Sequence, residues 1–332
     1  MDGTIGGDLT ARARAHSNIA LAKYWGKRDA TLNVPAVGSI SITLDALHTD
    51  TTVSFDTGLA DDELWLDGRE QPVGKVAVVL DLVRERAGLD LRARVVSENN
   101  FPTGAGLASS ASGFAALAVA ATAAAGIEAT PRESSVLARR GSASAARSIF
   151  GGYAELHAGS SPDGSDSFAE PLLEGEAWPL SVVVAITDPG PKTVSSTAGM
   201  QATSASSPFY RPWVESAPAG LDRMRAAILA HDLETVGELA EHSCLALHSI
   251  MLTTRPALIY WNAATVAGIH AVRALRAGGL PVYFTIDAGP QLKALCRPED
   301  AAAVSAALAA IPGVAETRTS TLGPAARVVS KS

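Results

Sequence analysis

Apolar and polar residues alternate at 11–16 (ARARAH), 39–44 (SISITL), 51–55 and 91–97, and each run predicts a strand with one wet face. At 73–87 the apolar positions fall at helical spacing instead, and Gly88 supplies a C-cap. An Ala-rich helix is expected over 107–125, closed by Gly126, and another over 131–140, where Pro131 suits the first turn. A strand at 152–157, a Ser/Asp/Gly loop at 159–167 and a short buried strand at 182–186 follow. After Pro191 the texture turns helical, at 193–206, 213–230, 232–250 and 257–277. A strand at 282–286, the loop DAGPQ, a helix at 299–311 and a strand near 326–329 complete the pattern.

Strands and helices in both halves imply an α+β protein, with two domains at 1–188 and 189–332 meeting near TDPGP (187–191). A doubly wound nucleotide fold is disfavoured, because the glycine-rich loop follows several strands of antiparallel character instead of opening the chain. The length of 332 residues accommodates two domains, and 47% hydrophobic with 18% charged residues describes a chain that folds. A net charge of −7 argues against a nucleic-acid partner, which calls for a basic face. It leaves room for small polyanions, since Arg12, Arg14, Lys23, Lys27 and Arg28 crowd the first thirty residues; a solvated charged face is the plainer account of that cluster. Cys244 and Cys296 form no C-x-x-C pair, the first ten residues lack the layout of a signal peptide, and the Ala-rich run is too short to span a membrane. A cytoplasmic protein without a membrane partner is expected.

The stretch PTGAGLASSAS at 102–112 runs into the Ala-rich helix, and a glycine turn entering a helix N-terminus is a natural phosphate cradle. The lysine-bearing phosphate loop is absent. The dinucleotide fingerprint fails at Ser109, where its third glycine belongs, and the nucleophile elbow fails at Ser110. What fits is a loop in which Gly104 and Gly106 free the backbone while Ser109 and Ser110 offer hydroxyls to phosphate or Mg²⁺. A serine-capped helix with no ligand is the other account the loop leaves open. Glu241-His242-Ser243-Cys244 with His248 reads as a packed helix, since His242 points away from the face shared by Cys244 and His248.

The pattern Pro102-x-x-x-Gly106-Leu107-x-Ser109-Ser110-Ala111 resembles the ATP loop of the superfamily of galactokinase, homoserine kinase, mevalonate kinase and phosphomevalonate kinase. NIALAKYWGKRD (18–29), SENNFP (97–102), RRGSASAARSIFGG (139–152), VSSTAGM (194–200) and DAGP (287–290) stand in the order expected of the diphosphomevalonate decarboxylases within it. The resemblance implies a ribosomal-protein-S5-like N-terminal domain and a ferredoxin-like C-terminal domain, with the active site in the cleft between them. It also implies an ATP- and Mg²⁺-dependent homodimer that converts mevalonate 5-diphosphate to isopentenyl diphosphate, ADP, phosphate and CO₂. A decarboxylase of the 5-monophosphate and a mevalonate 3-kinase are the alternatives within the same group.

Residue by residue, the resemblance makes Asp287 the acceptor for the C3 hydroxyl, Lys23 its partner and Arg147 the fork for the C1 carboxylate. Asn18, Tyr24, Lys27, Ser142, Ser144, Ser195 and Ser196 fall to the substrate. Asn100, Pro102, Gly104, Ala105, Gly106, Leu107, Ser109 and Ser110 fall to ATP, and Ser110 also to the metal. Taken singly, Lys27 reads equally as a surface charge, Asp287 as an Asx-turn residue and Ser195 as a plain N-cap. Four positions depart from the family pattern: Ala143 for glycine, Gln291 for asparagine, Lys75 for arginine, and Ala325 after Gly323-Pro324 where a second glycine is expected.

Overall fold

The computed structural model describes residues 9–104, 106–190 and 192–331; Ala105 of the expected ATP loop lies outside them. The chain begins with β1 (Thr10–Ala22), the short β2 (Lys27–Asp29) and β3 (Val34–Pro35), β4 (Ser39–Asp56), β5 (Glu63–Leu66) and β6 (Arg69–Gln71). Then come α1 (Lys75–Ala87), β7 (Arg92–Asn99), α2 (Ser109–Ala124), α3 (Pro131–Gly141), β8 (Tyr153–Leu156), β9 (Ala169–Leu173) and β10 (Ser181–Ile186). Four helices follow: α4 (Ser196–Ser206), α5 (Tyr210–Leu229), α6 (Leu233–Leu252) and α7 (Ala263–Ala277). The remainder is β11 (Tyr283–Ile286), β12 (Leu292–Cys296), α8 (Ala301–Ala309), β13 (Glu316–Thr321) and β14 (Arg327–Lys331).

These strands build two principal sheets, so the molecule is α+β. The first has the path β14-β1-β4-β7-β5-β6, with β8 on β4 and β9 on β8. The second has the order β11-β12-β10-β13 with all three pairings antiparallel, the arrangement of a split βαβ ferredoxin-like sheet. β10, which precedes the expected division at 188/189, belongs to the second sheet, and β14, which follows it, joins the first. The run SVVVAI is buried along its whole length, and it is paired on both edges, by β12 and β13.

The two strands expected at 39–44 and 51–55 are one continuous β4, because nothing in the intervening DALHTD breaks extended backbone. Its first half pairs with β8 and its second with β7, while β1 runs along the whole length. Helix α3 starts at a full capping box, Thr130 with Glu133, and α1 stops at Gly88 in the left-handed conformation (φ 64°). Alanine lets α2 press close on its neighbours. Leu117, Ala120, Ala121 and Ala124 share a core with Val79 and Leu80 of α1 and Val53 and Val95 of the sheet. A second core joins the sheets, with Ile19, Leu21, Ile40 and Ile42 from the first and Val182, Val184 and Leu295 from the second.

Candidate functional site

The opening of α2 and the end of β1 meet the β11–β12 turn across a cavity of about 350 Å³. Its wall includes Asn18, Lys23, Tyr24, Lys27, Gly104, Gly106, Ser109, Ser110, Ser142, Ser144, Arg147, Ser195, Ser196 and Asp287. These fourteen expected residues, scattered over 270 positions of sequence, thus face one space. Asn100, Pro102 and Leu107 stand outside that lining. The Asn100 side chain accepts from the His48 amide (2.8 Å) and donates to the Ala46 carbonyl (2.9 Å), and Leu107 is buried in the shared core.

Asp287 follows β11 directly. Its Oδ1 accepts from Lys23 Nζ at 2.6 Å, and its Oδ2 lies 3.2 Å from Lys293 Nζ as an ion pair without hydrogen-bond alignment. Burial alone would raise the Asp287 pKa; Lys23 and then Lys293 outweigh it and hold the carboxyl well below the usual carboxylate range. Lys23 is fixed from behind, since its backbone amide donates to Ser243 Oγ on α6 (2.9 Å). This contact and a hydrogen bond from Thr285 Oγ1 to the Ala20 carbonyl (3.4 Å) lock β1 to the second half of the chain.

Arg147 lies within the 3-10 segment Ala143–Ile149 and is 2% exposed. Its guanidinium donates to Ser39 Oγ and to Asn18 Oδ1 (3.0 Å), its Nε has no partner, and no described carboxylate pairs with it. Burial pulls its pKa down to about 10. A cation so enclosed carries a desolvation cost of several kcal/mol that a bound anion relieves. Asn18 in turn donates to Ser148 Oγ (2.7 Å) and the Ser144 carbonyl (3.0 Å), so β1 orients the fork. Tyr24 lies against Arg147, with the guanidinium carbon 5.7 Å from the ring centre. Lys27 is pushed down to about 8 by burial and by Lys75.

The phosphate-loop side is built from backbone. Gly104 (φ 76°) and Gly106 (φ 81°) take left-handed conformations, and a Cβ on Gly106 would come within 3.1 Å of Gly289 Cα. Ala108 is also left-handed, and no side chain caps the α2 N-terminus. Its uncapped amides favour an anion. The Ser110 and Ser142 hydroxyls are 3.5 Å apart across the cavity. No group of three His, Cys, Asp or Glu suited to a metal occurs among the described residues. Mg²⁺ commonly uses few protein ligands together with substrate phosphates, so a hydroxyl beside open amides fits it.

Two cations were not anticipated from sequence. Lys192 Nζ donates to Ser196 Oγ (2.7 Å) and to the Ala288 carbonyl (3.2 Å), and burial lowers its pKa. Nothing in its local pattern marks it. Lys293 does carry a signal, being the single charge in the apolar run LKALC. Ser195 is the N-cap of α4, accepting from the Ala198 amide (3.2 Å), and lines the cavity as well. Cys244 and His248 serve packing: the thiol accepts from the Ile286 amide (3.2 Å), and His248 Nε2 accepts from the Trp261 indole (3.2 Å).

Three of the four departures from the family pattern are accommodated. Ala143 is not among the positive-φ residues, so it needs no glycine. Gln291 Oε1 accepts from the Thr187 amide (2.6 Å) and its Nε2 donates to the Asp188 carbonyl, holding the turn before Lys192. Lys75 Nζ reaches Thr197 Oγ1 (3.4 Å) across the cavity mouth.

A family model described as the diphosphomevalonate decarboxylase-like N-terminal domain matches residues 15–169. A second, the mevalonate 5-diphosphate decarboxylase C-terminal domain, matches residues 182–327. A diphosphomevalonate decarboxylase of Schizosaccharomyces pombe is 41% identical over 294 residues, covering 82% of this chain and 75% of that one. The solved mevalonate diphosphate decarboxylase from Enterococcus faecalis, described for mevalonate diphosphate-mediated ATP binding, matches with a TM-score of 0.88 and 38% identity. It covers 97% of this chain and 99% of its own. A structure described as MDDEF in complex with MVAPP, AMPPCP and magnesium matches with a TM-score of 0.90 and 39% identity, at 97% and 99% coverage.

Proposed function

The chain belongs to the diphosphomevalonate decarboxylase family, and from that premise we propose how its cleft converts mevalonate 5-diphosphate and ATP to isopentenyl diphosphate, ADP, phosphate and CO₂. The observation that carries the reading is Asp287, ionised between Lys23 and Lys293 and sharing its cavity with the α2 N-terminus and an unpaired, buried Arg147.

Phosphoryl transfer needs alignment and charge neutralisation more than covalent help. Gly104, Gly106 and the α2 amides cradle the triphosphate, with Ser109 and Ser110 alongside. The Ser110 hydroxyl, together with ATP, would hold Mg²⁺, which would neutralise phosphate charge. Asp287 is too weak a base to ionise a tertiary alcohol beforehand. It accepts a hydrogen bond from the C3 hydroxyl, aims its oxygen at the γ-phosphorus, and takes the proton late as the new P–O bond forms and ADP departs. Lys23 and Lys192 offset the negative charge that develops. The C1–C2 electron pair then becomes the C2–C3 double bond as C1 departs from C2 as CO₂ and phosphate leaves C3. Arg147 holds the C1 carboxylate until that step, with Ser142 and Ser144 beside it, and Tyr24, Lys27, Ser195 and Ser196 anchor the 5-diphosphate.

Both cysteines are free and buried, which fits a reducing cytoplasm, and the family resemblance extends the proposal to a homodimer. Sedimentation velocity tests the dimer. The decisive experiment supplies purified protein, ATP and Mg²⁺ with mevalonate, its 5-phosphate and its 5-diphosphate, following ADP and CO₂ separately. Equal ADP and CO₂ from the diphosphate is the expected result. Faster turnover of the monophosphate would overturn the diphosphate anchors, and ADP without CO₂ would make the protein a 3-kinase. Asp287→Asn should lower kcat by about 10²–10⁴ with little change in KM for the diphosphate.

A further inference from the structure

Lys293 is the single charged residue of β12, and its side chain is 1% exposed. Its ammonium stands 3.2 Å from Asp287 Oδ2 and donates to the Gly106 carbonyl at 3.2 Å. Asp287 lies at the end of β11 in the second sheet's half of the molecule, whereas Gly106 belongs to the loop that opens α2 over the first sheet. One buried cation therefore touches both the reacting carboxylate and the backbone of the nucleotide loop. The two loops leave little space between them, as the 3.1 Å approach of a Gly106 Cβ to Gly289 requires. Lys23 holds only the other oxygen, Oδ1.

We propose that Lys293 is a positioning residue, tying the Asp287 carboxylate to the Gly106 carbonyl and so setting the reacting oxygen's distance from the nucleotide loop. This rests on the assignment of Asp287 given above. A carboxylate anchored at one oxygen can rotate about its Cβ–Cγ bond; a second, electrostatic contact at Oδ2 restricts that rotation. The same ammonium transmits any displacement of the glycine loop to the carboxylate. Reactive alignment is sensitive to this, since a misplacement of about 1 Å can cost on the order of 10²-fold in rate. A purely structural lysine would satisfy the buried carboxylate equally well, but its loss would weaken the fold without selectively slowing the folded enzyme.

The test is a double-mutant cycle of Lys293→Met and Asp287→Asn, read as kcat, KM for each substrate and thermal midpoint. Lys293→Met should lower kcat by about 10-fold or more and raise KM for ATP, leaving KM for mevalonate 5-diphosphate within about twofold. On the Asp287→Asn background, the same change should cost less than about twofold in kcat, because its route of action is already gone. Lys293→Gln, which keeps a donor, should recover part of the rate and serves the cycle if the methionine variant does not fold. A Lys293 variant with wild-type kcat and only a lowered thermal midpoint overturns the proposal, as does a fully multiplicative loss in the double variant. If Asp287→Asn itself keeps wild-type kcat, the assignment of Asp287 falls and this proposal falls with it. A normal loss at 287 with no response at 293 overturns the proposal alone.

Discussion

Lys27 illustrates how much a single side chain's setting decides. With a pKa of about 8, it is charged below that pH and neutral above it. As an anchor for the 5-diphosphate in the free enzyme, it should make kcat/KM for that substrate fall as pH rises through about 8. Lys75→Met removes a neighbouring positive charge and should move this alkaline limb upward; a limb that stays put would exclude Lys27 as its source. Arg147→Lys keeps a charge but loses the planar fork, so kcat should drop while ATP binding persists, and Arg147→Gln should lose more. Full activity in Arg147→Gln, measured by CO₂ release, would remove that residue from the site. Ala143→Gly should leave kcat within about twofold, because no left-handed backbone there needs relief. Asp287, Lys23 and Arg147 were legible because each sits in a distinctive run of residues. Lys192 was not, because its partners, Ser196 and the Ala288 carbonyl, are created by folding.

At the scale of elements, legibility followed period and punctuation. Helix α1 had apolar spacing and a glycine stop, α3 had Pro131 in its first turn, and both formed where expected. The β5–β6 hairpin went unread although Asp67-Gly68 carries its turn signal, with both residues at positive φ. Strand β13, ETRTST, is too polar to announce itself, and β12, LKALC, is buried on both faces without alternation. Such strands are specified by their neighbours in the sheet. Helix α3 leads directly into Ser142, Ser144 and Arg147, so its first turn matters to the site it ends in. Thr130→Ala breaks the capping box and should cost about 0.5–2 kcal/mol in urea unfolding, with kcat of the folded enzyme retained. An unchanged midpoint would show that tertiary packing alone holds that end.

For the whole molecule, an acidic protein of net charge −7 gathers Lys23, Lys27, Lys75, Arg147 and Lys192 around one opening. The local field should outweigh the global charge for a polyanionic substrate, because ions beyond about 10 Å are largely screened at 0.1 M salt. Accordingly, kcat/KM for mevalonate 5-diphosphate should fall as potassium chloride is raised at constant pH. A rise would mean that net repulsion governs the encounter. The overall α+β layout could be read from the order of strands and helices, but the traffic of strands between sheets could not. β10 precedes the expected division and β14 doubles back, because pairing partners are chosen in space.

That return of β14 has a consequence for how the protein is made. Ala11 lies opposite Lys331, and among the described residues β14 is the strand that pairs with the outer edge of β1 in the first sheet. During synthesis this edge waits, exposed, until residues 327–331 have left the ribosome. A half-finished polypeptide thus offers a long strand edge to any other nascent chain, the usual entry to misassembly. Fragments that stop after β9 should aggregate even though they contain most of the residues of that sheet, and the covering strand should be the last part of it to be secured.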